Sequence, residues 1–180
     1  MRKFHSILFL SLFACVNPFA PELGNIDANA SAVLTERTNP DEVLENFRFA
    51  YIFGDSLVYS EVIDTGFVFI FFDPTVEGTG RFDSWGRDVE LRATAGLFRA
   101  VKGITLEWNS TIEESYWTPQ PDSVLSIAYF EGAKKAKISK SFQLKLGTEI
   151  QLSGTAVFTF SSERSGTGWR ISRWLDESIF

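Results

Sequence analysis

From Ile104 to Asp176 the chain alternates apolar and polar residues with period two, segment after segment. Ile104, Leu106, Trp108, Ser110, Ile112, Glu114 and Tyr116 fall on one face of a long strand. Val124 to Phe130 is a further strand candidate. Ile138, Phe142, Leu144 and Leu146 alternate with Ser139, Ser141, Gln143 and Lys145, and Gly147-Thr148 turns into Ile150, Leu152, Ala156, Phe158 and Phe160. After a polar loop from Ser161 to Gly168, a last strand runs from Trp169 to about Asp176. Strands that follow one another this closely pair as an antiparallel meander. A sheet half-buried on one face needs a second layer, and the first part of the chain supplies it.

That part reads as helices. Thr38-Asn39-Pro40-Asp41-Glu42 combines a polar cap, a proline in the first turn and two acids at the positive end of the helix dipole. Val43, Leu44, Phe47, Ala50 and Tyr51 recur at helical spacing until Gly54 stops the helix. Asp55-Ser56 caps a second short helix to about Ile63, with Leu57, Val58 and Val62 inward. The unbroken apolar run from Phe67 to Phe72, closed by Asp73-Pro74, predicts a buried strand. A loop containing Gly78, Gly80 and Trp85 follows. A third helix is expected from about Arg87 to Val101, with Val89, Ala93, Leu97 and Val101 inward and Gly103 as its stop. Helices followed by a run of strands give an α+β domain, its helices covering one face of a curved antiparallel sheet.

The order of elements over residues 39–177 resembles the NTF2-like, cystatin-like cone, which includes ketosteroid isomerase and the SnoaL-type cyclases. Tyr51-Ile52-Phe53-Gly54-Asp55, the Phe67-Val68-Phe69 run to Asp73-Pro74 and the closing Gly168-Trp169-Arg170-Ile171-Ser172-Arg173-Trp174 carry that resemblance. It implies a cavity between helices and sheet, with Phe47, Tyr51, Tyr59 and Trp108 as pocket candidates. It also sets a test for catalysis. The isomerase uses a base aspartate in an Asp-Pro step, a tyrosine donor on the first helix and a protonated aspartate on a later strand. By the resemblance, Asp73 matches the base, whereas the donor positions fall on Phe47 and about Ala156. Without either donor, a developing enolate has nothing to stabilise it. Asp73 also has a plain reading as a turn initiator after a strand. Glu114, a carboxylate on a mostly apolar face, is the other candidate acid-base group.

The front of the chain carries an address. Arg2 and Lys3 precede an eight-residue apolar stretch, Ile7 to Ala14, too short for the ~20 residues of a membrane-spanning helix but suited to the core of a secretory signal. Leu12-Phe13-Ala14-Cys15 resembles the lipobox of bacterial lipoproteins, which implies a signal peptide over 1–14 and lipid on Cys15. Plain secretion is the alternative: Ala28-Asn29-Ala30 fits a cleavage pattern but lies far beyond the apolar run. Val16, rather than aspartate, after the cysteine points to the outer membrane, facing the periplasm. Residues 15–38, with Pro18, Pro21 and Gly24, read as a tether spanning roughly 25–30 Å, and 39–180 as the domain.

Processing at Cys15 has chemical consequences. Lys plus Arg falls from 17 to 15 against 23 acids, so the net charge moves from −6 to −8. Nucleic acid is excluded as a partner, because neutralising phosphates needs clustered cations, and Lys134, Lys135, Lys137 and Lys140 are accounted for by a solvated strand edge or turn. The single histidine leaves with the signal and the single cysteine is lipidated. Ser-His-Asp and Cys-His catalysis are thereby excluded. No metal site and no cofactor are expected. The chain is expected to bind a small apolar ligand or a partner protein without catalysis. The alternatives are an isomerase-type enzyme using Asp73 or Glu114, and a homodimer formed through the sheet. Trp108, Trp117, Trp169 and Trp174 lie in or beside strands; Trp169 and Trp174 have opposite parity and cannot share one face of a regular strand.

Overall fold

Helix α1, Pro40–Phe53, begins where the local chemistry dictates. The Asn39 side chain accepts from the Glu42 amide at 3.0 Å, and the Glu42 carboxylate reaches back to the Thr38 amide at 2.7 Å. Gly54 closes the helix in the left-handed region, φ 64°, where a side chain would be strained. Asp55 then caps α2, Ser56–Val62, by accepting from the Leu57 and Val58 amides. The computed structural model describes residues 34–75, 80–118, 134–162 and 168–177. The signal segment, Cys15 and the Val124–Phe130 strand candidate lie outside the described residues.

The remaining elements are β1, Ile63–Asp73; β2, Arg81–Gly86; α3, Arg87–Ala100; β3, Ile104–Trp117; β4, Lys134–Leu146; β5, Ile150–Ser162; and β6, Trp169–Asp176. The described strands form one sheet in the order β2-β1-β6-β5-β4-β3. β3 to β6 make the antiparallel meander expected from the alternation, while β1 lies parallel to β6, so the sheet is mixed. The helices cover one face. Val43, Leu44, Phe47, Ala50 and Tyr51 of α1 are buried there against Ile138, Phe158, Phe160 and Ile171 of the sheet. The α+β architecture therefore stands as the sequence pattern has it.

Several local expectations change. Trp85 lies in strand β2, not in a loop; five of that strand's six residues are exposed, so no alternation of burial marks it. β1 is buried on one face only: Phe67 and Phe69 face inward, whereas Val68 and Phe72 are exposed, because no layer among the described residues covers the other face of the sheet. In α2, Leu57 is exposed and Tyr59 takes the inward place. In α3, Val89 is exposed and the buried positions are Glu90, Thr94 and Phe98, one residue on from the expected stripe. The lysine-bearing β4 is an internal strand: Lys140 pairs with Asp41 at 2.8 Å and Lys137 with Glu113 at 3.4 Å.

Bulges break two strict parities. Pairing shifts between Trp108 and Thr111 and again between Thr111 and Glu113, so Ile112 leaves the core face and is exposed. In β6 a shift opposite Thr159 and Phe160 puts Ile171 and Trp174 on the same face as Phe158 and Phe160. Trp169 and Trp174 therefore do share one face, which only an extra residue in the strand allows.

Ahead of α1, Thr35 exchanges hydrogen bonds with the buried Asn46 side chain at 2.9 and 3.0 Å. The Trp169 amide donates to the Arg37 carbonyl at 2.7 Å. The domain thus includes residues that the sequence pattern assigns to the tether.

Candidate functional site

The concave face of the sheet is packed around a single ring. Phe47, from the middle of α1, stacks on Tyr51 with ring centroids 4.8 Å apart and meets Trp174 edge-on at 5.6 Å. It also lies within 6 Å of the Tyr59, Trp108 and Phe158 rings. Such a cluster forms because helical spacing puts Phe47 and Tyr51 on one stripe, strand alternation brings Trp108, Phe158 and Trp174 up from the sheet, and α2 adds Tyr59. Phe47 is the centre of that cluster. Beside it a cavity of about 140 Å³ stays open. Leu106 and Trp108 of β3, Phe142 and Leu144 of β4 and Leu152 of β5 form its apolar wall, and Asp176 of β6 is its charged member. Trp108 is pinned by its indole N–H, which donates to the Leu44 carbonyl at 3.1 Å.

Behind that cavity, separated by Tyr51, Phe69 and Trp174, lies a second hollow between α3 and the β1–β2 hairpin. Its polar centre is Glu90, a carboxylate only 4% exposed. Tyr59 donates to Oε1 at 2.6 Å, Thr94 donates to the same oxygen at 3.0 Å, and the Trp85 indole donates to Oε2 at 2.7 Å. Three convergent donors suit an acceptor-only carboxylate. Burial pushes the Tyr59 phenol well above its usual range, with the charges of Tyr51 and Glu90 adding to it. Tyr51 is raised for the same first reason, burial, and then by Glu90.

No protein-family model matches the chain, and no curated protein matches it in sequence. Solved structures do. A conserved protein from Planctomyces limnophilus matches with TM-score 0.50 at 19% identity, over 77% of this chain and 94% of that one. A domain of unknown function with a cystatin-like fold, from Nostoc punctiforme, matches with TM-score 0.50 at 15% identity, over 77% and 74%. An NTF-2-like protein of unknown function from Shewanella oneidensis matches with TM-score 0.50 at 16% identity, over 76% and 93%. The fold is NTF2-like.

Within this NTF2-like cone, the expected pocket residues Phe47, Tyr51 and Trp108 line the cavity together. Tyr59 does not line it; its ring packs behind Phe47 and its hydroxyl belongs to the Glu90 cluster. The three isomerase positions do not converge. Phe47 is at the cavity, Ala156 is fully buried, and Asp73 is the last residue of β1, where its carboxylate accepts from the Thr75 amide at 2.9 Å and hydroxyl at 2.7 Å. Those two bonds, with a smaller contribution from Arg81, hold the Asp73 carboxyl below its usual range. Glu114 is exposed on β3 and accepts from the Tyr116 hydroxyl, which pushes the Tyr116 phenol up to about 12. Neither carboxylate lines the cavity.

Sequence reasoning missed Glu90. Glutamate on a helix is ordinarily solvated, and the only trace was its place on a Glu90–Thr94–Phe98 stripe at i, i+4, i+8. Among the described residues no group of His, Cys, Asp and Glu is arranged to hold a metal ion.

Proposed function

We propose that this NTF2-like domain binds a small, largely apolar ligand in the cone cavity, on a chain held at a bacterial membrane by lipid on Cys15. The observation that carries the ligand reading is the open volume left beside Phe47, walled by Leu106, Trp108, Phe142 and Leu144. An apolar cavity of roughly 150 Å³ takes up a benzene ring. At about 140 Å³ the space beside Phe47 suits one ring or a short alkyl branch, and is too small for a fused polycycle. The lipid reading rests on the lipobox-like Leu12-Phe13-Ala14-Cys15 and its apolar leader. Two or more acyl chains would hold the protein stably, where one gives only marginal attachment.

Thermal unfolding with toluene, benzene and a steroid tests the cavity. Toluene and benzene are expected to raise the melting temperature and the steroid to leave it unchanged. Leu144→Trp, which fills the space, is expected to remove the toluene effect. An equal toluene shift in the filled variant would sink the ligand reading. Fractionation of cells expressing the full chain and its Cys15→Ser variant tests the anchor separately: membrane partition that survives the substitution rules the lipid out.

A further inference from the structure

We propose that the hollow between α3 and the β1–β2 hairpin is a second binding site, selective for an alkylated ammonium group. The starting point is the charge on Glu90. Buried carboxylates are normally paired with a cation, because burying an unpaired charge is costly. Among the described residues no lysine or arginine is paired with Glu90. Arg87, one turn earlier on α3, donates to the Ser60 carbonyl at 3.0 Å instead. All three donors to Glu90 are neutral, so no hydrogen-bonded cation occupies its carboxylate.

The walls say which kind of cation suits that charge. Trp85 stacks on Phe69 with centroids 4.5 Å apart and 28° between planes, and Trp174 stands nearly perpendicular to Phe69 at 4.9 Å and 85°. These rings, with Tyr51, bound a space of about 200 Å³ whose lip is the exposed Ala93. Aromatic faces around a carboxylate attract organic cations through their quadrupoles. An anion would be repelled by Glu90. A hard divalent metal needs six or more oxygen ligands, far more than Glu90 and Thr94 offer here.

A primary ammonium fits less well than an alkylated one. Three of about four lone-pair directions on Glu90 are already used, so at most one of its three N–H donors would find a partner. A quaternary ammonium brings no donors and presents only methyl groups to the rings. The inference is independent of the cone cavity, although both spaces share the wall made by Tyr51, Phe69 and Trp174.

The test uses choline, methylammonium and 3,3-dimethylbutan-1-ol (the neutral isostere of choline), titrated against tryptophan fluorescence and thermal unfolding. Choline is expected to bind about tenfold or more tightly than the neutral isostere, as a cation–π and carboxylate site requires, and more tightly than methylammonium. Ala93→Phe, which fills the hollow from its exposed lip and leaves the Glu90 bonds intact, is expected to abolish choline binding without lowering the melting temperature. Glu90→Gln should weaken choline binding by a similar factor. Equal affinity for choline and its neutral isostere, or wild-type choline binding in Ala93→Phe, would overturn the proposal. Toluene uptake by the Ala93→Phe protein and choline binding by Leu144→Trp keep the two sites distinguishable.

Discussion

Truncating Phe47 to alanine probes stability and binding at once. The ring is 1% exposed and touches five others, so its removal costs both burial and packing. Phe→Ala substitutions in cores cost ~3–5 kcal/mol. Aromatic pairs add ~0.5–1.5 kcal/mol each beyond area burial, and although these do not sum, they place Phe47→Ala near the upper end, about 4–5 kcal/mol. Domains of this kind have ~5–15 kcal/mol in total, so the variant should stay folded with a thin margin. Urea unfolding followed by tryptophan fluorescence measures the loss. The vacated space joins the existing cavity, so naphthalene should stabilise the variant and not the parent; at ten times its Kd the gain is about 1.4 kcal/mol. A loss below about 2 kcal/mol, or no naphthalene effect, would mean that α1 collapses onto the sheet and that Phe47 is not what limits the cavity.

Alkaline stability should depend on the two buried phenols. Folding raises the Tyr51 and Tyr59 pKa values, chiefly by burial. Their contribution is therefore complete below the unfolded value of ~10 and falls as pH rises towards the folded values, by about 1.4 kcal/mol per pH unit for each. Urea melts at pH 8, 10 and 11 should show this fall, and a Tyr51→Phe/Tyr59→Phe protein with an unchanged slope would contradict it. Asn39→Ala removes the acceptor for the Glu42 amide and should cost ~1 kcal/mol; a melt indistinguishable from the parent would show that water replaces the cap. Pairing of two copies through the sheet would cover the exposed Val68 and Phe72 of β1 and Phe82 of β2, and light scattering that finds a monomer at high concentration counts against it.

How far the residues could be read depends on what enforced each element. Helix α1 was legible because cap, proline and apolar stripe all agree, and β3 to β5 because one face of each is pressed against helices. β2 carried no such mark, since its residues are nearly all exposed and its strand character comes from pairing with β1. The bulges in β3 and β6 were invisible for another reason: a parity break is fixed by neighbouring strands, not by the residue that leaves the ladder. At the cavity, Phe47, Tyr51 and Trp108 could be named from the family resemblance together with helix and strand phase, whereas the contributions of Phe142 and Leu144 depend on the β3–β4 register. Glu90 needed three partners from α2, β2 and its own helix before its burial made physical sense.

The strand order β2-β1-β6-β5-β4-β3 has a consequence for assembly. Among the described strands β6 comes last in sequence, yet it lies between β1 and β5 and joins the early hairpin to the later meander. Its partners on β1, such as Ile63 opposite Ile171, are about a hundred residues away in sequence. Contacts of that separation form slowly, because loop closure precedes any gain from pairing. Until β6 docks, an inner edge of β1 and an inner edge of β5 stand open, and each is a template for a foreign strand. Without Trp169–Asp176 the domain would hold two half-sheets with nothing between them, so this one strand governs whether it folds or aggregates.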